Sequence, residues 1–522
     1  MRFPKPFPIY PLLVAVAPVL SLWGHNIQEL DPGAGNRALL VAVCGALVVW
    51  ALWGAVTRSW YKSAILATWF WLLFYSYGIY QTPIGGKSQL GLMISDHRIL
   101  LPIWGILFLD GSYLIHKYFR GRDNFIRITN AVFIFLLIIP LYQLGYHQIR
   151  SWDGAKQFTP SAAVNPISSN VSPTNKPDIY LIILDSYTRA DVLQEVYGFD
   201  NQTFEENLSS LGFQITPCSL SNYGYTALSL GSMLNMDYLD NILDDFSSLD
   251  KHDLPRVYEV DRHNSVRTYL ESIGYTTVSI VGYQPIAWTD SDVYYPTNPS
   301  YIASEKGIGF LSQFERMLLR ATALKPIIQH NNQQFDPYDI PFNYVYEDLV
   351  RTQWYTFEKI NEIREIPGPK FVFIHINYPH PPFMFRSDGS MIDDPKILSW
   401  NDGVPWEETK DEYVEAVQYV NNQIFPYVKQ LTETPNPPIV ILQGDHGYDT
   451  PNRLAIFNSF FVPDSIREKL YPAITPVNTF RIILDELFGA DYPILEDKSF
   501  MSPLKNILDV TPYQETMPDC QP

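Results

Sequence analysis

Residues 177–191 read PDIYLIILDSYTRAD, a run of apolar and β-branched residues that ends abruptly at Asp185. A continuous apolar run of this length is typical of a strand that other layers cover on both faces. Similar runs follow at residues 276–281, 370–376 and 438–443. Together these runs predict a sheet that is buried on both faces.

Helical patterns separate the four runs along the chain. Strands that alternate with helices form a mostly parallel sheet, so the predicted fold class is α/β. Ligands of such sheets bind at the carboxyl ends of the strands. The candidate functional residues are therefore those that directly follow each run. The helical patterns lie at residues 203–211, 226–234, 265–273, 346–363 and 413–431.

The first 150 residues have a different character, with five apolar stretches that are each near the ~20 residues needed to cross a bilayer. Arg2 and Lys5 before the first stretch would also suit a signal peptide, but the four later stretches favour a retained helix. Residues 1–150 are thus predicted to form a five-helix transmembrane domain. The stretches are residues 8–22, 38–56, 63–84, 99–116 and 128–146.

Loop charges predict the orientation of this domain. The loops on one side hold eight Lys and Arg residues, and those on the other side hold only Arg37, Lys87 and Arg98. Positive loops face the cytoplasm, so the N-terminus is predicted to be cytoplasmic and everything beyond residue 146 to lie outside. A four-span bundle would place the large domain inside, which the charge alternation argues against.

Charge also separates the two parts of the chain. Of 37 Lys and Arg and 55 Asp and Glu residues, the first 150 residues hold 12 and 5, which leaves a net charge of −25 on the remainder. So acidic a domain repels nucleic acid, and we expect no nucleic-acid partner. Residues 151–176 are rich in Ser, Asn, Pro and Ala without apolar periodicity, which predicts a linker to a domain over 177–522.

The chain has three cysteines, of which Cys44 lies in an apolar run. Cys218 and Cys520 both lie in the acidic part and are available for one disulfide in an oxidising compartment. The sequence does not decide whether these two residues approach each other.

Two of the predicted strands end in potential metal ligands. Asp185 follows the first run, and the last run leads into QGDHG at residues 443–447. Asp445 and His446 offer a hard oxygen and an imidazole nitrogen, both suited to a divalent cation, and the flanking glycines allow a tight turn. Each motif alone also fits an ordinary turn, in which Asp is common.

Two further residues suit substrate chemistry. Prolines on both sides of His380, in YPHPPF at 378–383, stiffen the backbone and fix its ring for contact with an anionic oxygen. Thr226 opens a predicted helix, where a hydroxyl often only caps the helix. The same position stabilises an anion, and beside a cation Thr226 becomes a candidate nucleophile. His375, inside an apolar strand, is predicted to be a core residue.

The ordered stretches PDIYLIILDSYTRAD, TFEENLSSLGF, SNYGYTALSLGSMLNM, YPHPPF and ILQGDHG resemble the alkaline phosphatase superfamily, in particular its sulfatase-like branch. The apolar N-terminus followed by an outer domain resembles lipoteichoic acid synthases and lipid A phosphoethanolamine transferases. The resemblance covers roughly residues 177–489. It implies an α/β/α sandwich of alkaline phosphatase type behind the five-helix membrane domain.

The resemblance also implies a site. Asp185, Asp445 and His446 would bind one divalent metal (Mn²⁺, Zn²⁺ or Mg²⁺), Thr226 would be the nucleophile and a fourth ligand, and His380 would contact the substrate. Formylglycine chemistry is not implied, because Thr226–Leu230 reads TALSL where sulfatases of that kind carry C/S-x-P-x-R. No convincing second Asp/His set is present, so a single metal is expected.

These features predict a membrane-anchored, metal-dependent enzyme. It would cleave or transfer a phosphate or sulfate ester through a Thr nucleophile, and its partners would be the bilayer and an anionic ester on an envelope lipid or glycan. The alternative is a catalytically silent sulfatase-fold domain that acts as a binding or sensor module on a membrane anchor.

Overall fold

The structure is a computed structural model in which the chain forms two compact units. The first comprises Met1–Ile149 with Ala303–Asn343, and the second comprises Arg150–Ile302 with Tyr344–Pro522. The described residues are 6–26, 33, 35–85, 97–119, 123–157, 176–243, 245–250, 253–297, 313–326, 347–392, 406–448, 452–503 and 506–513.

The first unit begins with five helices, one over each apolar stretch of the sequence. They are α1 (Tyr10–His25), α2 (Asn36–Thr57), α3 (Trp60–Gly85), α4 (His97–Tyr118) and α5 (Asp123–Gln157). Within the described residues, α2, α4 and the Asp123–Tyr146 part of α5 are long and apolar enough to cross a membrane, and α1 is a shorter apolar helix. The described part of the first unit therefore contains three candidate spans, where the sequence predicts five.

Helix α5 runs past the predicted start of the linker at residue 151 and ends at Gln157. Most of the rest of the predicted linker, residues 158–175, lies outside the described residues. The helix thus covers the first turns of a segment whose composition indicated no regular structure.

A segment from the middle of the chain also belongs to the first unit. Helix α12 (Gln313–Arg320) places Phe314 and Leu318 in the same apolar cluster as side chains of α1, α2 and α3. The Arg37 guanidinium of α2 is paired with the buried Glu315 carboxylate of α12. The predicted domain over residues 177–522 includes these residues, which in the structure belong to the first unit.

The second unit is built on a seven-stranded sheet in the order β2-β7-β6-β1-β5-β3-β4. All its strand pairs are parallel except those that β7 makes with β6 and β2. The four predicted strands are confirmed as β1, β3, β5 and β6, and the fold is mixed α/β with a mostly parallel sheet. The strands are β1 (Ile179–Leu184), β2 (Gln214–Ile215), β3 (Thr276–Val281), β4 (Val293–Tyr295), β5 (Lys370–Ile376), β6 (Ile439–Gly444) and β7 (Asn458–Phe461).

Helices connect and flank these strands, and each of the five predicted helices is present. They are α6 (Ala190–Glu195), α7 (Gln202–Ser210), α8 (Thr226–Asn235), α9 (Leu239–Ile242), α10 (Leu254–Arg262), α11 (Ser265–Ser272), α13 (Glu347–Ile363), α14 (Trp406–Thr432), α15 (Asp464–Arg467) and α16 (Pro476–Phe488). A small pair of antiparallel strands, β8 (Ser499–Met501) and β9 (Thr511–Tyr513), follows.

The register of the central strands positions the site. Leu184, the last residue of β1, pairs with Ile376 of β5 and with Gly444 of β6. Asp185 and Asp445 therefore follow directly paired residues on neighbouring strands, at the carboxyl edge of the sheet. This is the edge at which open parallel sheets bind ligands.

The cysteines differ in state. Cys218 is disulfide-bonded, and Cys44 is a free thiol. Cys520, the partner that the sequence makes available to Cys218, lies outside the described residues.

Candidate metal centre and nucleophile

Asp185, Asp445 and His446 meet at the carboxyl edge of the sheet. One potential ligand atom from each lies within 4.8 Å of the other two, and all three residues are buried. The His446 Nε2 atom is 3.6 Å from Asp445 Oδ2 and 3.8 Å from Asp185 Oδ1. The structure thus brings together the three side chains that the resemblance assigned to a metal.

The electrostatics of this cluster suit a cation. Burial, together with the neighbouring Asp445 carboxylate, raises the pKa of Asp185. Burial alone would also raise the pKa of Asp445, but the His446 and His375 rings and hydrogen bonds from Thr226 and the Ser186 N–H lower it. Two buried carboxyl groups this close repel each other when both are ionised, and a divalent cation removes that penalty.

The His446 ring is held in the tautomer that a metal ligand needs. Its Nδ1 atom lies 2.9 Å from the Gly447 carbonyl oxygen, which only accepts hydrogen bonds. Nδ1 therefore carries the ring proton, and the Nε2 lone pair faces the two carboxylates. Burial and the nearby Arg453 lower the pKa of His446 to about 4, so the ring is neutral near pH 7.

A divalent cation fits the donor set. The buried Asp445 Oδ2 atom has no hydrogen-bond partner among the described residues, although such an atom is costly to leave unsatisfied. Two carboxylates, one imidazole nitrogen and the Thr226 hydroxyl offer the oxygen and nitrogen ligands that Zn²⁺, Mn²⁺ and Mg²⁺ accept in differing preference.

The backbone around the cluster is tightly constrained. Ser186 has a left-handed φ of 65° and donates its N–H to Asp445 Oδ1 at 3.0 Å. A side chain on Gly444 would collide with the Tyr187 carbonyl, so glycine is needed there for close approach. The Ser229 hydroxyl of α8 donates to the Asp445 carbonyl oxygen at 2.8 Å, which ties this helix to the metal-ligand turn.

Thr226 is the first residue of α8, and the preceding residue, Tyr225, is the N-cap. The Thr226 Oγ1 atom lies 3.4 Å from His446 Nε2, and the residue is partly exposed. The Thr226 hydroxyl thus points at the ligand cluster. The N-cap position, which the sequence also allowed for Thr226, is occupied by Tyr225. The positive end of the helix dipole favours negative charge at this hydroxyl.

His380 lies near the same cluster, with its ring centroid 6.4 Å from that of His446. Its Nδ1 atom lies 2.5 Å from the Pro381 carbonyl oxygen, so Nδ1 carries the proton and Nε2 is the basic nitrogen. Burial of the ring, with the neighbouring His446, lowers the pKa of His380. The ring is therefore neutral near pH 7, and the predicted contact of His380 with an anionic oxygen of the substrate stays a prediction.

Arg453 is a site residue that the sequence reasoning missed. It is buried, and its Nη2 atom lies 3.3 Å from His446 Nε2. Its Nε donates to the Gly224 carbonyl at 2.6 Å, and the guanidinium stacks over the Tyr225 ring at 4.8 Å. A signal was present in the sequence, because Arg453 is the one Lys or Arg between Lys429 and Arg467 and follows the DHG turn closely.

His375 lies deeper than its neighbours, on β5. It is fully buried, as expected of a core residue, but its Nε2 atom is 3.7 Å from Asp185 Oδ2. Neither of its ring nitrogens has a hydrogen-bond partner within the part of the chain that the structure describes. His375 therefore belongs to the wall of the metal cluster as well as to the core.

Several solved structures are similar to this chain. The C-terminal periplasmic domain of EcEptC from Escherichia coli has 14% identity and a TM-score of 0.41, covering 65% of this chain and 93% of its own. Lipooligosaccharide phosphoethanolamine transferase A from Neisseria meningitidis, an integral membrane protein, has 11% identity and a TM-score of 0.39, covering 92% and 94%. Phosphonate monoester hydrolase of Agrobacterium radiobacter has 11% identity and a TM-score of 0.38, covering 62% and 80%.

A comparison with curated proteins found no match. The sulfatase family model matches residues 177–477, which is more than half of the chain and includes Asp185, Thr226, His380, Asp445 and His446. This protein belongs to the sulfatase family.

Proposed function

We propose that this protein is a membrane-anchored, metal-dependent enzyme that cleaves or transfers a phosphate or sulfate ester through Thr226. The observation that carries the proposal is the position of the Thr226 hydroxyl, 3.4 Å from His446 Nε2 at the edge of the buried Asp185–Asp445–His446 cluster. A hydroxyl at a helix N-terminus beside a cation site combines the features that activate a nucleophile.

Asp185, Asp445 and His446 would hold the metal, with Thr226 as a further ligand. A bound divalent cation supplies Lewis-acid charge that lowers the pKa of a coordinated hydroxyl and neutralises the transferred group. The N-terminus of α8 stabilises negative charge on the Thr226 oxygen. The Arg453 guanidinium, held in place by the Gly224 carbonyl, would stabilise the charge on the oxygens of the transferred group.

The proposed reaction has two steps. The Thr226 oxygen, after losing its proton, bonds to phosphorus or sulfur while the bond to the leaving alcohol breaks and that alcohol takes up a proton. Water or an acceptor alcohol then attacks the group on Thr226, loses a proton and releases the Thr226 oxygen. His380, whose ring lies beside that of His446, would contact the transferred group or this second nucleophile.

The membrane-spanning part bears on the choice between hydrolysis and transfer. We propose that all five helices α1–α5 cross the membrane and that the second unit is extracytoplasmic, in keeping with the loop charges and with an oxidised Cys218. Such an anchor favours a lipid-linked donor or acceptor in the cell envelope, and therefore transfer over simple hydrolysis.

The main test is turnover and metal content of purified full-length variants. Thr226→Ala should keep its bound metal but lose at least about a thousandfold of aryl phosphate or aryl sulfate turnover, as expected for loss of a nucleophile. Asp445→Asn should lose both metal and turnover. Thr268→Ala, which removes an exposed hydroxyl on α11, is the matched control and should match the wild type.

Unchanged turnover in Thr226→Ala would refute the nucleophile. A wild-type protein that binds metal but turns over neither ester, with soluble or membrane substrates, would support the silent binding module instead. Incubation with a headgroup-labelled phospholipid separates the two reactions, because transfer moves the label to a second molecule and hydrolysis releases it to water.

A further inference from the structure

An apolar cavity of about 410 Å³, open on one side, lies within the first unit between α2, α3 and α12. Small residues on one face of α2 make the space, namely Ala38, Ala42 and Gly45. Trp71 and Phe74 of α3 form the opposite wall, and Leu318 of α12 closes a third side. The volume lies in the range of ordinary small-molecule sites.

The mouth of this cavity lies on an apolar surface. Val41 lines the cavity and is 64% exposed, and its neighbour Leu40 is equally exposed without lining it. Leu47, Val48 and Leu52 extend this exposed apolar surface along α2, which is a candidate membrane span. A surface of this kind on a membrane-spanning helix faces lipid, so the occupant of the cavity would enter from the bilayer.

The polar end of the cavity lies at one end of the span. Arg37 and the buried Glu315 form an ion pair in the lining, with Arg37 Nε donating to Glu315 Oε1 at 2.5 Å. Because α2 begins at Asn36, this pair lies at the depth of lipid headgroups. From Arg37 to Gly45 the helix rises about 12 Å, close to the ~15 Å of hydrocarbon in one leaflet.

We propose that this cavity binds one acyl chain of a glycerophospholipid, whose headgroup lies at the Arg37–Glu315 pair. An acyl chain matches the apolar lining, the depth of the cavity and its mouth on the lipid-facing surface, and the Arg37–Glu315 pair supplies polar groups at the interface where a headgroup would lie. The lipid site rests on the proposed membrane crossing of α2 but not on the proposed enzymatic activity, and its test measures binding alone.

The test uses the full-length chain, delipidated in detergent and titrated with dioleoylphosphatidylglycerol, with bound lipid counted by native mass spectrometry. The wild type should bind one lipid tightly. Val41→Trp at the mouth and Ala42→Phe inside should each weaken this binding at least tenfold. Leu40→Trp is the matched control, because Leu40 is as exposed as Val41 but does not line the cavity, and it should bind like the wild type.

Folding is checked by the elution volume and melting temperature of each variant. Val41 is mostly exposed, so Val41→Trp should fold even if the buried Ala42→Phe substitution does not. Wild-type-like binding in Val41→Trp would overturn the proposal, and so would an equal loss in Leu40→Trp. Absence of a bound lipid in the wild type would also overturn it.

Discussion

At the scale of single residues, the site depends on groups whose protonation is set by what they touch. The Gly447 carbonyl fixes the proton of His446 on Nδ1, and the Pro381 carbonyl does the same for His380. Both rings therefore keep their Nε2 lone pairs. Because both imidazoles are neutral near pH 7, the positively charged side chain beside His446 is Arg453.

Arg453 should therefore matter for the rate. Arg453→Ala should lower kcat about 10²- to 10³-fold, the range seen when one donor to a transition-state oxyanion is removed. Arg453→Lys should recover only part of the rate, because a point charge does not reproduce a planar guanidinium stacked on Tyr225. The measurement is kcat and KM for an aryl ester at saturating metal.

A suitable control for this series is Arg256→Ala, which removes a cation that is ion-paired with Asp245 away from the ligand cluster. It should leave kcat within twofold of the wild type. A wild-type kcat in Arg453→Ala would show that its guanidinium does not act on the transferred group.

At the scale of elements, α8 connects the nucleophile to the core. Its first residue is Thr226, its Ser229 bonds to the Asp445 backbone, and its Gly231 packs against α10. The side chain of Asp261 on α10 lies beside Gly231 and is buried, and its carboxyl oxygens have no hydrogen-bond partner among the described residues. A buried carboxyl group without a hydrogen-bond partner destabilises the contact between α8 and α10.

Burial raises the pKa of Asp261 well above its ordinary value, and Arg262 offsets this only in part. At low pH the carboxyl is protonated in both the folded and the unfolded state. As the pH rises past the ordinary carboxyl pKa, the unfolded state ionises first, so the folded state loses stability until the folded pKa is passed.

Asp261→Asn should therefore stabilise the second unit near pH 7, because the amide carries no charge that folding must bury. The gain in melting temperature should be several degrees at pH 8 and should shrink towards pH 4. Asp240→Asn, at an exposed position on α9, should show no such pH-dependent gain. Equal melting temperatures of wild type and Asp261→Asn at pH 8 would contradict the assignment.

At the scale of the whole molecule, a cation that binds only the folded cluster should stabilise the second unit. At a hundredfold excess over Kd the gain is about 2.7 kcal/mol. A chelator should lower the melting temperature of the wild type by several degrees, and Mn²⁺ or Zn²⁺ should restore it. Asp445→Asn should have the same melting temperature with and without the chelator. A wild-type melting temperature that changes with neither the chelator nor the added metal would argue against the metal site.

The orientation of the chain is a second whole-molecule prediction. If α1–α5 all cross the membrane with the N-terminus inside, protease added to right-side-out vesicles should cleave the second unit. The same protease added to inside-out vesicles should leave it intact. The reverse pattern would indicate an even number of crossings, as in the four-span alternative.

The sequence by itself determined the elements and the type of sheet. Apolar runs and helical periodicity are local properties, so β1, β3, β5 and β6, the five helices between them and the helices over the N-terminal apolar stretches were predictable. The grouping of Asp185, Asp445 and His446 could also be predicted from the sequence, because residues that follow parallel strands must gather at one edge of the sheet.

Only the tertiary structure decided which side chains touch across long separations. Arg453 reaches His446 around a turn, His375 approaches Asp185 across a strand pair, and α12 returns from residues 313–320 to the helices of the first unit. The last two contacts have no local signature, because the backbone path between the partners sets them. Arg453 follows the DHG turn closely, but its position in the sequence does not show that its guanidinium reaches His446. The periodicity of a segment records which face is buried, but it does not record what that face is buried against.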